Sequence, residues 1–388
     1  MQRQFRKRFQ DAISIEELRS IARRRLPAFA FEYIDGGAED EATLRWNRRM
    51  FDSIRLVPST LVNTERRHCR RTIFGVESAA PLIVAPTGLN GMASARGDIA
   101  LAKAAAAAGI PFTLSSVSNA RIADVAPAAG GRLWMQLYVF SERRITLDII
   151  ERAKSAGYEA LVFTTDANVF GSREWDRRNY RRPGKLRFSR LLDIAAHPRW
   201  LMSVPLAQGV PRFVNVADFL PPEARSASAG VTVFPRLLQP NLSWDELKWL
   251  RDQWPRKLVL KGVLTVADAR RAAELGCDGV VLTNHGGRQL DSCISPMEVL
   301  PEIVAAVGDR MTVLIDSGFR RGTDVLKALA LGAHAVMIGR AGLYGLASGG
   351  EAGARHALSL LIAEIDRGLG LLGCRDLGDL GPHLLKKS

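Results

Sequence analysis

The sequence has almost nothing from which to build a disulfide framework or a metal cluster. Four cysteines, Cys69, Cys277, Cys293 and Cys374, are scattered through 388 residues, and no two form a CxxC pair. That spacing reads as reduced packing residues in a cytosolic protein, and no metal site is expected. The first ten residues are basic but carry no apolar h-region, so no secretory signal is read there. No stretch approaches the roughly 18 uncharged apolar residues that a transmembrane helix needs. Low-complexity segments are missing, as is any repeat beyond an alternation of strand and helix patterns.

Acids are also in deficit. Lys and Arg total 54 against 40 Asp and Glu, a net charge of +14. This balance favours a polyanionic neighbour such as nucleic acid, acidic lipid or an anionic substrate. With 47% hydrophobic and 24% charged residues, the chain is otherwise an ordinary globular one with ample length for a core.

Eight short apolar runs recur along the chain. They are Leu82-Ile83-Val84-Ala85, Phe112-Thr113-Leu114, Leu133-Trp134-Met135-Gln136-Leu137, Ala160-Leu161-Val162-Phe163, Leu258-Val259-Leu260, Gly279-Val280-Val281-Leu282, Thr312-Val313-Leu314-Ile315 and Ala335-Val336-Met337-Ile338. Most lack polar alternation, the pattern of parallel strands buried on both faces. Helical patterns at 98–108, 145–156, 265–275 and 323–331 lie between them. Ser14-Ile15-Glu16-Glu17 and Ser243-Trp244-Asp245-Glu246 read as capping boxes. Eight strands alternating with helices predict an α/β (β/α)8 TIM barrel, with an open doubly wound sheet as the alternative. A single domain over 1–388 is expected: an N-terminal helical extension at 1–80, a barrel at 81–365 and a tail at 366–388.

One connection is too long. The gap after the fourth strand holds an insertion at about 177–240. It begins with Arg177, Arg178, Arg181, Arg182, Lys185, Arg187 and Arg190 and no acid between them. Leu191-Leu192-Asp193-Ile194 and Trp200-Leu201-Met202 follow. Basic residues beside apolar ones suggest peripheral membrane contact through residues 177–235 on anionic lipid. The plainer alternative is a solvated basic loop with a packed helix. Nucleic acid is not expected, because no binding motif accompanies the charge.

In a barrel the chemistry sits at the carboxyl ends of the strands. Here those ends read Pro86-Thr87-Gly88, Ser115-Ser116, Gln136 and Tyr138, Thr164-Thr165-Asp166 followed by Arg173, Lys261-Gly262, Thr283 with His285 and Arg288, Asp316-Ser317-Gly318-Phe319-Arg320, and Gly339-Arg340. Neutral imidazole takes up a proton near neutral pH, and guanidinium holds a carboxylate bidentately. The last two turns fit a phosphate. Gln136, Thr164, Ser115 and Lys261 form a donor-rich set suited to the edge of a flat heterocycle. A lone member of such a set is usually structural; polar groups at eight strand ends together imply a ligand.

Phe31-Glu32-Tyr33-Ile34-Asp35-Gly36-Gly37-Ala38-Glu39-Asp40, Pro86-Thr87-Gly88, Gln136-Leu137-Tyr138, Thr164-Thr165-Asp166, Lys261-Gly262, the run from Asn284 to Asp291 and that from Asp316 to Gly322 resemble the FMN-dependent α-hydroxy acid dehydrogenases and oxidases. The resemblance runs from about Ile13 to Leu380. Pro86 to Gly91, Ile294 to Leu300 and Ile315 to Gly322 look closest to its mandelate dehydrogenase branch, and the family also includes L-lactate dehydrogenases.

The resemblance implies an FMN cofactor and roles for the strand-end residues. His285 would be the base, with Asp166 supporting its imidazolium. Arg173 and Arg288 would clamp the substrate carboxylate, and Tyr33 and Tyr138 would hydrogen-bond carboxylate and hydroxyl. Lys261 would stabilise reduced flavin. Pro86, Thr87, Gly88, Ser115, Gln136, Thr164 and Thr283 would adjoin the flavin ring. Asp316 would bind the ribityl chain, with Gly318, Arg320, Gly339 and Arg340 around the phosphate. The implied reaction oxidises an L-2-hydroxy acid to the 2-oxo acid. Proton removal from carbon and from the hydroxyl both remain open. Many oxidases of the family have alanine where Gly88 stands, so glycine points to a dehydrogenase that passes electrons to a membrane quinone. Val117, where glycolate-specific members carry tryptophan, admits more than glycolate; lactate, mandelate and longer 2-hydroxy acids stay open. Phe170 is expected near the pocket. An oxygen-using oxidase and a non-redox barrel acting on a phosphorylated metabolite are the alternative functions. A homotetramer is expected by analogy, in the cytoplasm or on the cytoplasmic face of the membrane.

Overall fold

All eight apolar runs form strands, and together they close a parallel barrel. The protein is described here by a computed structural model covering residues 8–182, 185–220, 234 and 236–387. The strands are β1 (Leu82–Val84), β2 (Phe112–Leu114), β3 (Leu133–Leu137), β4 (Ala160–Thr164), β5 (Lys257–Val263), β6 (Gly279–Leu282), β7 (Thr312–Ile315) and β8 (Ala335–Ile338), each paired with its sequence neighbours. The missing alternation has a direct cause. Ile83, Trp134, Val162, Val281, Leu314 and Met337 pack inside the lumen. Their neighbours Leu82, Leu133, Leu161, Val280, Leu282 and Val313 pack outward beneath the helices. Both faces of each strand are therefore apolar. Phe74, from a hairpin of Arg71–Ile73 and Val76–Ser78, plugs the far end of the lumen against Trp134 at 5.3 Å between ring centroids.

Three helices precede the barrel: α1 (Ile15–Arg25), α2 (Ala28–Asp35) and α3 (Ala42–Asp52). Within the barrel come α4 (Gly97–Ala107), α5 (Ile122–Ala129) and α6 (Arg143–Ser155). The insertion after β4 carries α7 (Glu174–Asn179), α8 (Phe188–Ala195), α9 (Pro198–Ser203) and α10 (Pro205–Gln208), and α11 (Trp244–Gln253) leads back to β5. Then follow α12 (Val266–Glu274), α13 (Pro296–Val307), α14 (Gly322–Ala330) and α15 (Arg340–Leu372). Parts of the basic insertion, at 183–184, 221–233 and 235, lie outside the described residues, as do residues 1–7.

Sequence reading missed α5 and α13. Both contain proline inside the helix, Pro127 and Pro301, which interrupts the helical signal. The last helix passes residue 365 and runs to Leu372, broken at Gly349 and Gly350. Ser243 and Glu246 form the reciprocal capping box. At α1 the box is modified: Ser14 Oγ accepts from Glu17 N, while Glu17 returns to the N–H of Ile13. The C-terminal strand Leu385–Lys387 pairs with Ile54–Leu56, joining tail to extension.

The extension covers the barrel mouth beside the β6 loop. Ala38 N donates to Gly287 O at 2.9 Å. Asn47 and Asn284 exchange amide hydrogen bonds of 2.9 and 2.8 Å, and Asp291 accepts from Ala42 N and Thr43 N at 3.1 and 2.7 Å. Gly287 has φ +72, and a Cβ there would meet Leu44 N at 2.6 Å. Gly130, at φ +65, has nothing within 4 Å of such a Cβ. Gly130→Ala should cost about 1–2 kcal/mol, the left-handed penalty alone. Gly287→Ala should cost more than that, because it also pushes the extension off the loop. Urea unfolding of the FMN-loaded proteins measures both; equal losses would show that this contact is not tight.

Candidate active site

The C-terminal mouth of the barrel opens into one cavity of about 880 Å³. Every site residue assigned above lines it except Asp166 and Thr283. Those two stand directly behind it. Asp166 Oδ1 meets His285 Nδ1 at 3.0 Å, and Thr283 Oγ1 accepts from His285 N at 2.8 Å and from Lys261 Nζ at 3.4 Å.

The β6 loop sets the imidazole. His285 adopts φ +57, a left-handed conformation uncommon for a non-glycine residue. Thr283 Oγ1 fixes its amide, and Ser317 Oγ accepts from Gly286 N at 3.1 Å. Gln289, quoted in the loop motif but given no role, anchors the other partner: its Nε2 donates to the carbonyls of Asp166 at 2.7 Å and Val169 at 3.0 Å. The polarity of the pair follows from charge. Burial raises the Asp166 pKa, but His285 and Lys261 outweigh it and hold the carboxyl below its usual range. An ionised Asp166 accepts, so Nδ1–H of His285 donates and Nε2 is left as the basic atom. Burial pulls the His285 imidazole below the ordinary histidine value, with Lys261 and Arg173 acting in the same direction and Asp166 against it. The ring is neutral at pH 7 and ready to take a proton.

Lys261 ends the regular part of β5, just before a bulge between Lys261 and Val263. Its Nζ lies 3.1 Å from Asp316 Oδ2. Burial opposes its charge, but Asp316 and Asp166 together raise its pKa, so it remains an ammonium. Two further cations stand near the proposed base. Arg288 Nη1 donates to Gly36 O at 2.8 Å, and its Cζ sits 5.3 Å from the Tyr33 ring centroid. Arg173 Nε reaches Arg288 O at 3.4 Å and packs over Phe170 at 5.9 Å. Tyr33 Oη lies 3.4 Å from Gly88 O. Tyr138 is buried, which pushes its phenol pKa up and keeps it protonated.

The two arginines expected at the phosphate end are placed differently. Arg340 donates to Ile34 O at 3.0 Å and to Gly286 O and Gly36 O at 2.8 Å each, clamping extension to loop. Its burial lowers the pKa to about 10, still cationic at pH 7. Arg320 meets Phe319 O and Tyr344 Oη, each at 3.3 Å, and faces the cavity beside Gly318 and Gly339.

The sequence profile described as FMN-dependent dehydrogenase matches residues 22–387. The chain belongs to the FMN-dependent dehydrogenase family. It is 45% identical to (S)-mandelate dehydrogenase of Pseudomonas putida, over 97% of this chain and 94% of that one. It is 41% identical to L-lactate dehydrogenase of Caulobacter sp. strain K31, over 97% and 98%. Among solved structures, the monotopic membrane protein (S)-mandelate dehydrogenase superposes with a TM-score of 0.93 at 44% identity, covering 98% of this chain and 100% of that one.

FMN is therefore the cofactor of this family member, and the cavity can be tested for it. Three of its buried polar atoms, Thr87 Oγ1, Gln136 Nε2 and Thr164 Oγ1, have no partner among the described residues. Buried polar atoms are otherwise nearly always paired, so this edge calls for a ligand with matching groups. Gln136 is rigid, because its Oε1 accepts from Ser115 Oγ at 3.2 Å and Ser116 N at 3.1 Å. Gln136, Thr164 and Thr87 fit the edge of a flavin ring, Lys261 fits negative charge on it, and Arg320 fits a phosphate.

A base acts when deprotonated, so kcat/KM should fall as pH drops through the free-enzyme pKa of His285. That acid limb is expected below about 6.5, the ordinary value. Asp166→Asn removes the attraction that opposes the shift. Its limb should lie lower still, with kcat reduced on the order of 100-fold. A limb above the ordinary value, or one that Asp166→Asn moves upward, would remove His285 from this role.

Proposed function

We propose that the protein oxidises an L-2-hydroxy acid to the 2-oxo acid and passes the electrons to a quinone in a membrane on which it lies peripherally, at the cytoplasmic face. The reading is carried by one observation: a neutral, partly buried His285 backed by Asp166, with Arg173 and Arg288 lining the same cavity as the unpartnered ring-edge atoms. Mandelate and lactate dehydrogenases among the relatives support the substrate class.

Arg288 and Arg173 orient the substrate carboxylate, which removes much of the entropic cost of reaction. Tyr138 and Tyr33 offer hydroxyls to the bound acid. His285 Nε2 takes one proton of the HC–OH unit, and Asp166 stabilises the resulting imidazolium. FMN, when bound, would supply the acceptor for the electron pair and for the other hydrogen of that unit. Lys261, kept charged by Asp316, stabilises negative charge at the floor of the cavity. Expressed protein should be yellow and should bleach anaerobically with an L-2-hydroxy acid. His285→Gln should retain the colour and slow bleaching by about 100-fold or more. Colourless protein that FMN cannot reconstitute would overturn the reading.

The membrane part rests on the insertion. Phe188 is 74% exposed, Leu192 59%, Leu206 72% and Val210 59%, with Arg187, Arg199 and Arg212 exposed among them. No helix among the described residues is long and apolar enough to cross a membrane. The other face of the segment is anchored: Trp200 Nε1 donates to Met92 O at 2.8 Å, and Asp193 Oδ2 accepts from Ala28 N at 2.6 Å. Each buried leucine contributes about 1.5–3 kcal/mol, and each cation near an anionic surface about 1 kcal/mol. The intact protein should sediment with anionic vesicles. Leu192→Asp combined with Leu206→Asp should abolish sedimentation and leave anaerobic bleaching intact. Wild-type protein that stays in the supernatant would remove the membrane from the proposal.

A further inference from the structure

We propose that Phe234 sets the preference of the enzyme among side chains of its substrate, favouring an aryl group over methyl. This rests on the 2-hydroxy acid reading above. The polar anchors of the cavity leave one direction for the third substituent on C2. Arg173 and Arg288 hold the carboxylate, His285 faces the HC–OH unit, and the Gln136–Lys261 edge belongs to the flavin. The remaining wall is apolar, made by Val117, Tyr138, Phe170, Phe213 and Phe234.

Phe234 is the hub of that wall although it belongs to no barrel strand. Its ring lies 5.9 Å from Tyr138, 6.5 Å from Phe170 and 5.8 Å from Phe140, all edge-on, and 5.7 Å from Phe213 in a tilted contact. It is 3% exposed. The chain just beyond it is stitched to the loop after β3. Ser141 N donates to Leu237 O at 2.8 Å, Gln239 N to Val139 O at 2.9 Å, and Ser141 Oγ to Leu238 O at 2.9 Å. These bonds hold Phe234 above Tyr138 in a fixed place. Phe170 is engaged by the Arg173 guanidinium, and Phe234 lines the cavity beside it at the centre of the ring cluster. Aromatic rings prefer such edge-to-face surroundings, whereas a methyl group gains little from them. Val117 leaves the space for the ring.

The test is the ratio of kcat/KM for (S)-mandelate to that for L-lactate, measured by dye reduction with the FMN-loaded full chain. Phe234→Ala should lower the ratio about ten-fold or more, the scale on which apolar pockets discriminate. Phe234→Leu should lower it in the same direction by about three-fold, and it carries the test if the alanine variant does not retain flavin. A merely structural residue would depress both substrates alike and leave the ratio unchanged; that result in either flavin-loaded variant overturns the inference. Wild-type flavin that neither acid bleaches overturns the 2-hydroxy acid reading itself, and this inference with it.

Discussion

The site depends on the grip between the N-terminal extension and the β6 loop. Arg340 gathers three backbone carbonyls, two from the end of α2 and one from Gly286, while Arg288 takes a second bond to Gly36. Carbonyls in a buried mouth must find donors, and two guanidiniums meet that need at once. The consequence is geometric. His285 stays in a left-handed conformation because its flanking amides are held by Thr283 and Ser317, and the loop cannot relax while Gly287 is pressed against the extension. Tyr33 reaches the cavity from α2 for the same reason. The Phe31-to-Asp40 motif is therefore a clamp: Gly37 lies against Gly287 of the β6 loop, while Tyr33 and Ile34 face the cavity.

A buried mouth with this many charges is expensive unless the charges answer one another. Lys261 stands between the carboxylates of Asp316 and Asp166, so that opposite charges offset one another's desolvation, and Asp166 in turn accepts from the neutral His285. The arrangement serves the reaction better than it serves stability. In the proposed reaction Asp166 would be too well served by His285 and Lys261 to take the proton itself, so the proton would stop at His285. Lys261 is too well served by Asp316 to lose its charge. An apolar replacement would pack as well and hold no electron-rich ring.

Much of this was legible in the sequence because burial on both faces writes strands as unbroken apolar runs, and because polar strand ends stand out against them. All eight strands followed from the first signal, the second marked residues that the structure brings to one cavity, and the resemblance supplied the roles. What stayed hidden has physical causes. Pro127 and Pro301 masked two helices. Arg340, expected at the phosphate, also holds the carbonyls of Ile34 and Gly36, some 300 positions away, a clamp no local pattern announces. The Asn47–Asn284 exchange pairs two uncharged amides across 237 positions, with no periodicity to betray it. Gln289 has no role in the sequence reading, because its bonds run to the carbonyls of Asp166 and Val169 more than a hundred positions away.

The insertion shows the same limit from the other side. Its basic and apolar residues announced a surface, and Phe188, Leu192 and Leu206 do face outward. Yet Trp200, Phe213 and Phe234, of the same chemical kind, turn inward to the cavity. What sorts them is a polar knot. Buried Asp98 accepts from Asn90 Nδ2 and Asn119 N, each at 2.8 Å; Asn119 Oδ1 takes Gly91 N, and its Nδ2 reaches Arg212 O. Gln208 closes the knot by donating to Gly91 O. Burial lifts the Asp98 carboxyl to about 6 against the pull of those donors, the mark of a carboxylate held by amides and no cation. The loops that carry Gly88 and Val117 are thus tied to the segment that carries the outward leucines. The exposed leucines and the cavity-lining Trp200 and Phe213 are carried by one anchored segment, which is why neither face could be read from the segment alone.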